Sequence, residues 1–366
     1  MPPFWLKANI TPVFKSGDRS DPLNYRPIAL TCIMCKLMEH VIKDQLLSYL
    51  LNKNLISRHQ HAFIIKHSTA TNLLECTHDW SIALNDRRSV DIIYIDFRRA
   101  FDSIVHSKLL YKLQCYGING KLLNWISVFL SGRTQCVVLE NCHSSYSTVL
   151  SGVPQGSVLG PILFILFIND IEHTSQSHTI LKLFADDLKL YSVISLNNQQ
   201  ASHSLQQCLD TICEWAKQWQ FSINTRKTKT LTLSNPGLIS PRNYLVDSVI
   251  LSHTEEMSDL GVLIDCRLNY NSHINNIVSK ALQRCGVFFR GFVSRELSLL
   301  RKAFITYIRP ILEYNSSVWN PSHKQFIDLI ENVQRRFTKR IPAISALDYL
   351  ERLAIINLEP LELRRQ

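Results

Sequence analysis

The chain has 366 residues, 46% of them apolar and 19% charged, with a formal net charge of +10. That length and balance bury a sizeable core with two or more subdomains and exclude a disordered chain. The basic excess is uneven: residues 280–340 hold twelve Lys/Arg against four Asp/Glu, which suits a phosphate backbone or, equally, a solvated helical face.

Residues 1–30 read as extended. Ile10, Pro12, Val13 and Phe14 precede the turn-rich run KSGDRSDP at 15–22, and Tyr25 to Leu30 follow it. A helix is predicted from Cys32 to about Leu51. Ser89 to Phe97 (SVDIIYIDF) is a short, largely apolar run that fits a buried central strand. Two amphipathic helices are predicted at about 106–115 and 120–130, separated by the Gly117/Gly120 turn. In LKLFADDLKLY (181–191) apolar and polar residues alternate on both sides of Ala185–Asp186–Asp187, which predicts two short strands joined by a tight turn. Leu205, Leu209, Ile212, Ala216 and Trp219 share one helical face. Composition shifts near 268, and the segments 272–290, 296–314 and 322–340 read as basic helices. An α+β body over residues 1–268 is therefore expected to precede a helical unit over 269–366.

No signal peptide opens the chain, and the longest apolar run, Val158 to Ile168, is too short to span a bilayer. These features point to a soluble intracellular protein, nuclear or cytoplasmic, with no membrane partner. Ten cysteines are scattered along it. Cys32 and Cys35 have CxxC spacing, but no second pair or His-x-x-x-His completes a zinc site, so buried reduced thiols are the better reading.

Three constellations carry chemistry. Asp96 ends the apolar strand, and Asp186 and Asp187 sit at the hairpin tip. If the strands are neighbours, three carboxylates converge, an arrangement that repels itself unless a cation is bound. Phosphoryl transfer uses such carboxylates to hold two Mg²⁺ ions about 3.5–4 Å apart. Asp is also an ordinary turn residue, and for Asp96 alone that reading is the stronger one. The third constellation is SGVPQGSVLGP (151–161). Its glycines permit close backbone approach, and a helix starting near Val158 would offer amides to phosphate.

The order and spacing of these segments resemble the reverse transcriptases of non-LTR (LINE-type) retrotransposons, particularly the jockey-like branch. The matching segments are ITPVFKSGD (10–18), NYRPIAL (24–30), DFRRAFDSIVH (96–106), SGVPQGSVLGPILFILFINDI (151–171), FADD (184–187), INTRKT (223–228) and LGVLID (260–265). RPILEYNSSVWNP (309–321) looks like the family's thumb segment.

The resemblance implies an α+β right-hand polymerase with fingers, a palm built on an antiparallel sheet, and a helical thumb. It implies an RNA-directed DNA polymerase with an RNA template, a DNA primer and dNTPs as partners and two Mg²⁺ ions as cofactors, Mn²⁺ being a substitute. Asp96, Asp186 and Asp187 would be catalytic metal ligands, joined by the Phe97 carbonyl. Phe101 would lie under the sugar and disfavour a 2′-hydroxyl, although core packing explains it too. Gln155 and Gly156 would line the nucleotide pocket, and Lys15 and Arg26 would grip the triphosphate. Lys227 would protonate departing pyrophosphate, a solvated loop lysine being the plainer alternative. Tyr314, Trp319 and the basic helices would grip the duplex.

Arg99 stands where the family usually has Lys. In HAFIIKHST (61–69) Ala62 replaces a glycine and Ile64 an arginine. The chain also begins inside the fingers without an endonuclease module or zinc knuckle. It therefore reads as a fragment or truncated copy of an element, with an inactive relic that only binds nucleic acid as the competing reading.

Overall fold

The apolar run ending at Ile95 forms a strand, Ser89–Ile95, buried at all seven positions, as a strand covered on both faces must be. Asp91 within it is tolerated because the Tyr244 hydroxyl donates to it at 2.7 Å and Arg242 Nη1 at 3.2 Å. The computed structural model describes residues 1–175, 177–195, 200–235 and 242–365. The chain divides into two units, the first comprising Met1–Ser68, Arg88–Thr230 and Ile239–His253.

Ser89–Ile95 is the middle strand of a five-stranded sheet. The order runs Ser252–His253, Lys229–Leu233 (of which Lys229 and Thr230 belong to this unit), Ser89–Ile95, Asp187–Ile194, Ile180–Phe184. The last three are antiparallel, with Ile93 opposite Leu190 and Ile95 opposite Leu188, and with Leu181 and Leu183 opposite the same two leucines. Because side chains in one row share a face, these six residues form one apolar surface, and all six belong to the core that includes the helices Gly160–Ile168 and Gln200–Trp219.

The helices expected in this unit form as Ile33–Asn52, His106–Cys115, Gly120–Leu130, Gly160–Ile168 and Gln200–Trp219. Lys112 ties three of these segments together. Its ammonium lies 2.6 Å from both the Phe167 carbonyl and Asp170 Oδ1, and 3.7 Å from the centre of the Trp219 ring. Burial pulls the Lys112 pKa down to about 8, against the opposing pull of Asp170. The N-terminal extended region is a hairpin of Lys7–Phe14 and Tyr25–Leu30, with Thr134–Leu139 alongside in parallel.

The second unit comprises Thr69–Arg87, Leu231–Leu238 and Thr254–Gln366. It contains the helix Thr69–Asn85, which no periodicity announced, the hairpin Glu256–Asp259/Val262–Asp265, and the helices Asn271–Gly291 and Lys324–Lys339. Between them the predicted helix 296–314 is interrupted by a π-helical turn at Phe304–Ile308, just before Pro310. Proline cannot donate to the preceding turn and its ring crowds that turn's carbonyl, so the helix widens there. Among the described residues no helix is long and apolar enough to cross a membrane.

His273 packs at the start of Asn271–Gly291, its ring 5.1 Å from that of Trp319 and its Nδ1 accepting the Leu263 N–H at 3.2 Å. Burial, with a smaller push from Lys280, lowers its pKa from 6.5 to about 4. The unfolded imidazole therefore takes its proton near pH 6.5, while the folded one resists until about pH 4. Stability from this group is complete above pH 6.5 and is lost as pH falls toward 4, by about 3 kcal/mol. Denaturant midpoints measured at pH 7 and pH 4.5 should fall further for the wild type than for His273→Gln, which keeps an acceptor but does not titrate.

Candidate active site

The turn between Ile180–Phe184 and Asp187–Ile194 has Phe184 paired with Asp187, leaving Ala185 and Asp186 as its two central residues. Of these only Ala185 has a positive φ, +55°, the sign pattern of a type II′ turn, which favours glycine at that place. An alanine there is strained by about 1–2 kcal/mol. Gln60 compensates. Its segment runs beside Leu183, whose N–H donates to the His59 carbonyl at 2.9 Å and whose carbonyl accepts the His61 N–H at 3.0 Å. The buried Gln60 Oε1 then accepts the N–H groups of Ala62 at 2.8 Å and Ala185 at 3.0 Å. Ala62 is fully buried at this joint, so the residue that departs from the family's glycine belongs to the packing behind the hairpin.

Extending the register of Ile95 with Leu188 by one residue sets Asp96 beside Asp187, in the row that faces away from the apolar core. Asp96 is half-buried and Asp187 exposed. On the other edge the Asp96 carbonyl accepts the Asn224 N–H at 2.7 Å, and Arg98 N–H donates to the Ser222 carbonyl at 2.8 Å. Phe97, opposite Ile223, is thus in a wide pair, where a residue's N–H and C=O point away from its partner. Its carbonyl is directed to the hairpin side.

Burial raises the Asp186 carboxyl, and the nearby Asp96 charge raises it further, while a backbone hydrogen bond, Arg26 and Lys15 act in the opposite sense. The structure therefore brings Asp96, Asp186, Arg26 and Lys15 into one electrostatic neighbourhood. Lys15 and Arg26 are exposed at the ends of the N-terminal hairpin. Among the described residues no three His, Cys, Asp or Glu side chains form a ready-made metal cage. Lys227 is exposed in a turn whose Asn224 and Thr228 flank Asp96: Asp96 N–H donates to Thr228 Oγ1 at 3.3 Å.

The glycine-rich loop is threaded against the segment after Asp96. Gly152 N–H donates to the Ile104 carbonyl at 2.7 Å and Val153 N–H to the Phe101 carbonyl at 2.8 Å. Gly152 has φ +84°, and a Cβ on it would stand 2.6 Å from Asp102 Cα, so only glycine fits. Gln155 Nε2 donates to Asp102 Oδ1 at 2.8 Å, and Gly156, with φ +106°, leaves no room for a Cβ against the Ala29 carbonyl. Phe101 is half-buried and stacks on Phe164 at 4.2 Å.

Two expectations need correction. The helix begins at Gly160, and the amides of Val158 and Leu159 are not offered to a phosphate: both donate to Glu39 Oε2, at 2.8 and 2.9 Å. This carboxylate, fully buried on Ile33–Asn52, answers the helix terminus from within. Trp319, expected at a duplex, is 1% exposed and donates to the Tyr314 carbonyl at 2.8 Å. Its indole packs the interior of its own unit.

Sequence reasoning passed over Gln60, Glu39 and Asp102. Asp102 had a signal, the second acid of DFRRAFD; burial raises its pKa against the pull of Gln155, Arg99 and Lys15. Gln60 and Glu39 had none, since Ala185 and Val158, the amides through which they support the site, lie more than a hundred residues away.

The sequence pattern of the reverse transcriptase (RNA-dependent DNA polymerase) family matches residues 14–264. The chain is 28% identical over 360 residues to the probable RNA-directed DNA polymerase from transposon BS of Drosophila melanogaster, covering 93% of this chain and 38% of that protein. It is 28% identical over 344 residues to the RNA-directed DNA polymerase from mobile element jockey of Drosophila funebris, covering 91% and 37%. The chain thus spans well under half the length of these relatives. Among solved structures, apo telomerase from Candida tropicalis matches with a TM-score of 0.53 at 11% identity, over 96% of this chain and 62% of that one. The Candida tropicalis telomerase in complex with a TWJ fragment of telomeric RNA matches with a TM-score of 0.51 at 12% identity, over 93% and 54%. At such identity the likeness speaks to fold, an α+β right-hand polymerase.

Replacing Gln60 with Leu strands the N–H of the left-handed Ala185. Thermal or denaturant unfolding should show a loss of about 1–3 kcal/mol, whereas Gln60→Glu, which retains an acceptor, should lose less.

Proposed function

This chain belongs to the reverse transcriptase (RNA-dependent DNA polymerase) family, and from that premise we propose that it is the RNA-directed DNA polymerase domain of a non-LTR retrotransposon. It adds deoxynucleotides to a primer 3′-hydroxyl on an RNA template and releases pyrophosphate. In this reading residues 1–268 supply fingers and palm, and 269–366 a basic, helical thumb-like region. The observation that carries it is the juxtaposition of Asp96 and Asp186, two carboxylates that repel one another beside the cations Arg26 and Lys15.

The donor set fits divalent cations. Mg²⁺ is held by one or two carboxylates together with water and substrate phosphates, and does not need an all-protein cage. Asp96, Asp186 and the outward Phe97 carbonyl would hold two Mg²⁺ ions, or Mn²⁺, with Asp187 completing the acidic tip. When bound, the ions lower the cost of deprotonating the primer hydroxyl and neutralise charge on the leaving group.

The remaining roles belong to side chains. Arg26 and Lys15 meet the triphosphate, the guanidinium through paired N–H donors. Gln155 and Gly156 line the nucleotide pocket, where the Gln155–Asp102 hydrogen bond fixes the amide. Phe101, backed by Phe164, is rigid enough to resist a 2′-hydroxyl. Lys227 donates a proton to the departing pyrophosphate, a role supported by the turn that anchors it to Asp96.

Primer extension on an RNA template tests the site. Asp186→Ala should lower the rate about a hundredfold or more, and undiminished synthesis would overturn the assignment. Phe101→Val should raise incorporation of ribonucleotides relative to deoxynucleotides, read as a change in the ratio of the two kcat/KM values. An unchanged ratio would leave Phe101 as a packing residue.

A further inference from the structure

Of the five residues that the helix Ile33–Asn52 buries, four are apolar, Cys35, Ile42, Leu46 and Leu50, and the fifth is Glu39. A carboxylate with no exposure is expensive to keep, and the packing of an apolar face does not ask for one. Its Oε2 accepts the N–H groups of Val158 and Leu159 at 2.8 and 2.9 Å. The plain account of Glu39 is a helix cap. Yet the first amide of the helix Gly160–Ile168 is already accepted by Ser157 Oγ at 3.0 Å, and the second residue, Pro161, has no N–H. The two amides that Glu39 takes belong to the loop before the helix, three and four residues after Gln155.

The same stretch of chain reaches this loop a second time. Ala29, buried in the strand Tyr25–Leu30, donates its N–H to the Gln155 carbonyl at 2.6 Å. Its own carbonyl lies 2.7 Å from where a Cβ on Gly156 would stand. Only Thr31 and Cys32 separate that strand from the helix carrying Glu39. Ala29 and Glu39 therefore hold the loop at Gln155 and again at Val158 and Leu159, and the strand that supplies Ala29 also carries Arg26. Upstream the loop is tied to the segment after Asp96: Ser151 Oγ donates to the Asp102 carbonyl at 2.8 Å, and His106 Nε2 lies 2.8 Å from the Gly152 carbonyl.

We propose that Glu39 is a positioning residue for nucleotide binding: with Ala29 it clasps the loop 155–159 to the segment bearing Arg26, so that the pocket wall and the triphosphate contact keep one fixed spacing. Being fully buried, Glu39 touches no substrate itself. This rests on the polymerase reading and adds to it a residue outside the metal and nucleotide contacts. Loosening the loop costs nucleotide affinity first, because Gln155 and Gly156 then lose their setting against Arg26, while the aspartates stay fixed by the register of the sheet.

The measurement is the affinity of a fluorescently labelled complementary dNTP for the full chain bound to an RNA template and a dideoxy-terminated DNA primer, which needs no chemistry. Steady-state KM and kcat with an extendable primer accompany it. Glu39→Leu should raise the Kd and KM of the dNTP about tenfold or more, with kcat and the KM for primer–template within about threefold of the wild type. Glu39→Gln, whose carbonyl can accept both N–H groups without the charge, should raise the Kd only about threefold, and it decides the matter if Glu39→Leu does not fold. Leu46→Ala, two turns along the same buried face, should lower stability and leave the dNTP Kd within about twofold. Wild-type dNTP affinity in the Glu39 variants, or an equal loss in Leu46→Ala, overturns the proposal. A wild type that binds the dNTP without extending the primer overturns the polymerase reading, and the affinities still decide the role of Glu39. A wild type that binds no dNTP overturns both.

Discussion

Like charges held close are the constraint around which the first unit is organised. Asp96 and Asp186 each carry a carboxylate into the other's field, and nothing local to either residue favours that. The rest of the sheet holds them. Behind them the rows Ile95–Leu188–Leu183 and Ile93–Leu190–Leu181 are buried and apolar, so a slip of one residue would turn those leucines and isoleucines to the polar face. The register that buries the core therefore also fixes where the aspartates stand. At the hairpin tip itself Ala185 takes a left-handed φ, and Gln60 answers its amide from a distant segment.

The glycine loop shows the same division between chemistry and support. Gly152 and Gly156 let two pieces of backbone approach so closely that any Cβ would collide, and the result is a Gln155 side chain anchored to Asp102. Glu39 satisfies the amides that precede the apolar helix Gly160–Ile168. Burial and that same Glu39 push the Cys35 thiol up to about 12, which leaves it protonated and inert. The positive end of this helix is thus answered internally, and in the polymerase reading proposed above anion recognition falls to side chains such as Arg26 and Lys15.

In the second unit, charge and aromatic rings are combined differently. Trp319 and His273 close an apolar interior, while Tyr349 and Phe289 present their faces to arginines. Aromatic surfaces there serve packing in one place and orient cations in another. The distinction rests on burial and on which helix faces meet.

Local pattern alone determined much of this. Alternation about Ala185–Asp186–Asp187 gave the hairpin, the apolar run gave the central strand, and spacing gave the Gln200–Trp219 face, because each depends on residues within one element. The order of motifs gave the family. Helix Thr69–Asn85, strand Thr134–Leu139, the π-helical turn before Pro310, the burial of Trp319, and the supporting roles of Gln60 and Glu39 were decided by tertiary structure. Each rests on partners remote in sequence, or on which face another element covers. A carboxylate in a helix reads as solvated until the fold shows which amides it meets, and an aromatic reads as a contact until the fold buries it.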